Sequence, residues 1–284
     1  MKKFTNFLAQ YVTVSGIARK RFLKTIFQQL VTCIILLTWI LLSANAVPPS
    51  PAGGRMLRLD ETHDFVGTSE AWFPDEQFEG LTAEAWIYFE EPPEFGTFWT
   101  IIGQEGRFGL VLYGGNKDTL GTWGYAEGAD HGLSAGGDSL PTRKWVHVVA
   151  LYDASAGDGV NGKGGNACCP GGHLIRSDKP LRIGGIVAQN VNKSHFKGEN
   201  LKLRGYIDEV RISNIVRYKG PEWKVPKGKF RIDEHTISLW HFDEAPWSGR
   251  FKDETENGYD LWRSGAMPVE AQSKLTTTSG KLKK

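Results

Sequence analysis

The run 81–89 reads Leu-Thr-Ala-Glu-Ala-Trp-Ile-Tyr-Phe, and its strict two-residue alternation constrains this chain more than any other feature. Leu81, Ala83, Ala85, Ile87 and Phe89 fall on one side, and Thr82, Glu84, Trp86 and Tyr88 on the other. That period belongs to a β-strand whose two faces meet different surroundings, one aliphatic and one aromatic-polar. Shorter β-prone runs recur at 56–60, 64–66, 98–103, 108–113, 145–152, 181–183, 206–212 and 236–242. Turn signals such as Gly114-Gly115-Asn116, Asn161-Gly162 and Gly184-Gly185 separate them. With 34 glycines, ten tryptophans and no sustained helical period in the body, this spacing predicts antiparallel sheets stacked face to face, not βαβ units. The expected fold class is all-β, an antiparallel jelly-roll β-sandwich.

The first 46 residues stand apart. Lys2, Lys3, Arg19, Lys20, Arg21 and Lys24 precede an apolar stretch at 30–42, and Ala44, Asn45 and Ala46 set small residues where a signal peptidase reads. The segment is expected to be a signal peptide or, uncleaved, a membrane anchor, because the apolar run approaches the ~18 residues that span a bilayer. Either outcome puts the body in a secreted, periplasmic or cell-surface location. Residues 47–54 read as a Pro/Gly linker, 55–218 as the sandwich, 219–271 as a C-terminal extension that completes or flanks it, and 272–284 as a disordered polar tail. Within the extension, 220–229 is rich in Pro, Lys and Gly and reads as a strap over the surface.

A net charge of +2, with basic residues interspersed among acidic ones, gives no electrostatic footprint for nucleic acid. Outside the export segment only Cys168 and Cys169 remain, adjacent and therefore poor disulfide partners. A zinc site joining them to His173 lacks a fourth ligand at suitable spacing. They read as a loop feature.

Several phrases, in order, resemble the laminin-G-like, pentraxin-like branch of the concanavalin A-like lectin/glucanase superfamily. Leu57-Arg58-Leu59-Asp60 with Asp64-Phe65-Val66 resembles the opening strand pair. The 81–87 phrase resembles a Thr-x-Glu-x-Trp strand, Trp145-Val146-His147-Val148-Val149-Ala150 a Trp-x-His-x-Ala strand, and Val160-Asn161-Gly162-Lys163 an Asn-Gly hairpin. Leu181-Arg182-Ile183-Gly184-Gly185 and Gly205-Tyr206-Ile207-Asp208-Glu209-Val210-Arg211-Ile212 close the pattern. The trailing Leu239-Trp240-His241-Phe242-Asp243-Glu244 is similar to sequence bordering such domains. The resemblance implies a concanavalin A-like sandwich with a structural calcium held by Asp208, backbone carbonyls of the opening segment and, at the 60–64 turn, Asp60 and Asp64.

Glucanases of that superfamily use an acidic strand, since retaining hydrolysis needs two carboxyl groups ~5 to 5.5 Å apart. No strand here carries such a pair. The acidic clusters Glu90-Glu91, Asp60-Glu61 with Asp64, and Asp253-Glu254 with Glu256 sit beside proline or in turn-like sequence, where solvated carboxylates are the rule. No Gly-x-Ser-x-Gly elbow occurs, and no histidine is singled out for a triad. His147, inside an apolar strand, reads as a packed, hydrogen-bonded core residue. A carbohydrate surface would use aromatic platforms beside polar groups on loops. Trp72, Trp99, Trp123, Tyr125, Asp130 and His131 occupy loop-prone sequence and are the candidates, whereas Trp86, Trp145 and Trp240 lie in strands and read as core. The expected function is an exported, non-catalytic module that recognises a glycan or an extracellular protein. A glycoside hydrolase of the same fold and an adhesive envelope component without a discrete ligand are its rivals.

Overall fold

The computed structural model describes residues 24–36, 47–59, 65–72, 80–115, 119–124, 132–135, 139–152, 157–160, 163–167, 174, 176–185 and 203–264. Residues 24–36 form a helix, α1, which belongs to a unit separate from the body. Among the described residues no helix is long and apolar enough to cross a membrane.

The described residues of the body form fifteen strands: β1 (Leu57–Leu59), β2 (Val66–Thr68), β3 (Leu81–Tyr88), β4 (Phe98–Gln104), β5 (Phe108–Tyr113), β6 (Thr119–Gly124), β7 (Gly132–Ala135), β8 (Val146–Tyr152), β9 (Gly157–Val160), β10 (Lys163–Ala167), β11 (Leu181–Ile183), β12 (Gly205–Ser213), β13 (Thr236–Trp240), β14 (Arg250–Phe251) and β15 (Leu261–Arg263). They build two sheets. One runs β1-β12-β3-β8-β9-β10, with β13 also paired to β12, and the other runs β14-β15-β2-β11-β4-β5-β6-β7. The strand pairings of both sheets are antiparallel, as the short strands and intervening turns predict. Beyond the run at 206–212, the chain sends β13 into the first sheet and the β14–β15 pair onto the edge of the second.

The aliphatic side of β3 enters the core. Leu81, Ala83, Ala85 and Ile87, with Val146, Val148 and Ala150 of β8, pack in one buried cluster with Ile101, Leu110, Leu112, Leu181 and Ile183 of the second sheet. Burial of this apolar area is the main favourable term, at about 25 cal/mol per Å².

The opposite side of β3 is buried as well. The chain leaving β12 crosses it: Thr82 donates its hydroxyl to the Ile215 carbonyl (2.6 Å) and accepts from the Arg217 amide (3.0 Å). Tyr218 and Phe230 then close over His147 at ring separations of 5.9 and 6.0 Å, and Trp223 stacks on Tyr218 at 5.0 Å. Residues 215–230, which include the segment read as a strap, thus cover part of the aromatic-polar face of the first sheet.

Beneath it, Glu84 is wholly buried with every oxygen engaged. Its Oε1 accepts from Arg211 Nε (2.9 Å) and Nη2 (2.7 Å), and its Oε2 accepts from Tyr218 (2.6 Å) and meets His147 Nε2 (2.9 Å). Burial pushes the Glu84 carboxyl up, but the His147 hydrogen bond and the Arg211 charge outweigh it and hold the group below its ordinary range. His147 is thus the packed core residue that its apolar strand predicts.

Candidate functional site

The most unusual backbone of the body lies in β12. Opposite β3, Asp208 faces Trp86 and Arg211 faces Glu84, so the register shifts between them and leaves a bulge. Glu209 takes φ 51°, in the left-handed region that a residue with a Cβ enters only at a cost. Ile207, Val210 and Ile212 all belong to the core, so the extra residue places Asp208 and Glu209 together on the opposite face. Three other segments converge there: the opening segment through Ser50, Gly54 and Arg55, the end of the strap through Lys229 and Phe230, and the chain after β13 through His241 and Asp243. Phe242, between the last two, also has positive φ (54°).

Glu209 is satisfied. It accepts from the Phe230 amide (2.7 Å) and meets His241 Nδ1 at 2.8 and 2.9 Å, and this hydrogen bond raises the His241 pKa. Asp243 accepts from the Arg55 amide (2.8 Å) and from the Lys229 ammonium, which together outweigh its partial burial and lower its pKa. Gly54 is required beside it, because its φ is +75° and a Cβ there would lie 2.1 Å from Asp243 Oδ1.

Asp208 differs. It is fully buried, and its Oδ1 accepts from the Glu209 amide (2.9 Å), but its Oδ2 has no hydrogen-bond partner. Burial raises its pKa to about 7 against the opposing Ser50 hydrogen bond, and the Glu209 charge adds to the rise. In its ionised form, an unpartnered buried oxygen of this kind is a ligand that a hard cation takes.

Asp208, Asp243 and the Ser50 hydroxyl supply oxygen donors of the kind calcium takes, so these residues fit that ion. Among the described residues no three His, Cys, Asp or Glu side chains converge into a metal cluster, so main-chain carbonyls or water would complete the shell. Asp208, which the resemblance implies as a ligand, interacts with Ser50 of the opening segment. Asp60 and Asp64 fall outside the described residues; Ser50 and Asp243 are described neighbours of Asp208 that carry oxygen donors. The signal for Asp243 was present in the His241-Phe242-Asp243 phrase, while nothing local marks Ser50.

The aromatic candidates need correction. Trp72 is 0% exposed, donates Nε1–H to Ser238 Oγ (3.1 Å) and packs against Phe108 and Tyr259. Trp99 is equally a core residue, edge-on to Phe89. Both ended in the interior because apolar area that can be covered is covered. Neither is a platform. Trp123 lies in β6 opposite Gly109 and Leu133, and Tyr125, Asp130 and His131 fall outside the described residues. The cysteine pair and His173 fall outside them too. Of the tryptophans read as core, Trp86 and Trp240 are buried and Trp145 is half-buried. Among the described aromatic residues of the body, Phe95 (74% exposed) and Trp247 (84% exposed, in the turn after β13) do face water.

The two-sheet antiparallel sandwich defines a fold class, and comparison with known proteins identifies the family. Residues 60–219 match the laminin-G-like family of the concanavalin A-like lectin/glucanases superfamily, and the chain belongs to that family. A "putative carbohydrate binding protein" from Bacteroides ovatus superposes with a TM-score of 0.52 at 23% identity, over 72% of this chain and 57% of that one. This chain therefore spans little more than half of that neighbour's length. The heptameric SAP-like pentraxin of Limulus polyphemus gives 0.41 at 12% identity, over 57% of this chain and 76% of that one. Mouse laminin alpha1 domains LG4-5 give 0.37 at 11%, over 64% and 48%. No curated protein matches the sequence.

Proposed function

We propose that this chain is an exported, non-catalytic binding module that recognises carbohydrate and carries a structural calcium at Asp208. The observation that supports the metal is the buried, partnerless Asp208 Oδ2, with Asp243 and Ser50 beside it. Calcium there would tie the opening segment to β12 and to the chain after β13, and would neutralise the carboxylate that burial otherwise protonates. The carbohydrate reading is supported by family membership and by the Bacteroides ovatus neighbour, whose likeness speaks for the fold. The non-catalytic reading is supported by the condition of the buried carboxylates. Glu84 and Glu209 are each 0% exposed and fully hydrogen-bonded, so neither can reach a glycosidic oxygen. The export reading rests on the basic, apolar and small-residue order of the first 46 residues.

A glycan array probed with the mature protein, with and without a chelator, tests the reading. Selective, saturable binding without release of reducing ends is expected. Turnover of a bound glycan would replace the module with a hydrolase, and silence across a broad array would remove carbohydrate as the ligand class.

A further inference from the structure

The geometry points to the turn between β13 and β14 as a glycan-stacking site, with Trp247 as the platform on which the face of a pyranose ring rests. This inference depends on the carbohydrate reading and locates it outside the 60–219 segment that matches the family.

Among the described residues no large apolar side chain is more exposed than Trp247. The residues on either side of it in the turn are nonetheless held from several directions. The Ser248 amide donates to the Ala245 carbonyl (2.7 Å), and the Ser248 hydroxyl donates to the Arg250 carbonyl (2.5 Å). Arg263 grips the turn from β15: its amide donates to the Gly249 carbonyl (2.9 Å), Nε to the Ser248 carbonyl (2.9 Å) and Nη2 to the Pro246 carbonyl (3.3 Å). The Arg263 guanidinium also lies over the ring of Phe251, 5.3 Å away and buried in the core. The turn is therefore anchored to the interior while it presents an indole to water, so little backbone ordering remains to be supplied on binding.

The surroundings select the occupant. β14 is the outer strand of its sheet, with β15 on its one paired side. There Arg250 stands opposite Trp262, stacks over its ring at 5.4 Å and donates Nε–H to Asp260 (2.6 Å). Among the described residues Trp247 is the one large exposed apolar side chain of this turn, whose neighbours in the sequence, Ser248 and Arg250, are polar, and a single indole is less than the contiguous apolar surface that a protein partner would cover. A pyranose has the matching chemistry: axial C–H groups that pack on a π-face, ringed by hydroxyls that seek donors and acceptors.

The test uses the full mature chain in affinity gel electrophoresis against laminarin, xylan, galactomannan and polygalacturonate, with the glycan array covering other sugars. Trp247→Ala is expected to weaken the wild-type interaction about tenfold or more, by analogy with other ring-stacking contacts. Trp247→Phe should fall between the two, and all three proteins should share one melting temperature. Wild-type affinity in Trp247→Ala would overturn this site and leave the carbohydrate reading intact. A wild-type protein that binds neither the polysaccharides nor the array would overturn both.

Discussion

Glu84 and Asp208 are both wholly buried carboxylates on the first sheet, close together across the β3–β12 pairing, yet they titrate in opposite directions. Glu84 is met by a guanidinium, an imidazole and a phenol, which hold its charged form more firmly than water would. Asp208 is met by one amide and one hydroxyl and keeps an oxygen without a partner. Burial is common to the two, so partners decide the sign. The first is a finished lock, and the second is the position at which a cation is proposed.

Breaking the lock should give the largest effect. Glu84→Ala leaves Arg211 buried without its counter-charge, and a loss of about 3–5 kcal/mol is expected in urea unfolding. A loss below about 1 kcal/mol would show that the strap, not the ion pair, carries this face.

Calcium should stabilise the wild type by about 2.7 kcal/mol at a hundredfold excess over its dissociation constant. Asp208→Asn should abolish that response. An upward thermal shift that survives in Asp208→Asn would place the ion elsewhere.

Proton linkage sharpens the contrast, because the two groups act in different windows. The folded Asp208 carboxyl resists ionisation until about pH 7, whereas the unfolded one ionises near 3.8. Metal-free stability should therefore fall as pH rises from about 4 to 7, by a few kcal/mol at most, and Asp208→Asn should flatten that slope. Glu84, held below its ordinary 4.5, contributes stability that is fully present above that value and is lost as pH falls beneath it. Stability measured across pH 3–8 in chelator separates the two.

Arg217 and Asp233 form a bidentate pair at the edge of the strap, with Asp233 more than a third exposed. Solvent screening should limit the cost of Asp233→Asn to about 1 kcal/mol or less, well under that of Glu84→Ala. Trp247→Ala should change stability by less than about 0.5 kcal/mol, since its ring contributes almost nothing to the core.

Much of the fold was legible because strand alternation is local. The run 81–89 announced two unlike faces, and the structure places Leu81, Ala83, Ala85 and Ile87 in the core while Thr82, Glu84, Trp86 and Tyr88 are buried on the opposite face. The Ile207-Asp208-Glu209 phrase also marked the bulge carboxylate through its family resemblance. The aromatic residues were not legible in the same way. Trp72 and Trp247 both sit in turn-rich sequence, but one is 0% and the other 84% exposed.

By itself the sequence determined where strands run, which of their faces are apolar and that the first 46 residues differ in kind, since each of these depends on neighbours within a few positions. Tertiary structure alone decided which rings are covered and which polar atoms find partners. The Arg55 amide reaches Asp243 across 188 positions, and Trp72 reaches Ser238 across 166. Contacts of that span are set by how two sheets and a strap close on one another, and no local pattern encodes them.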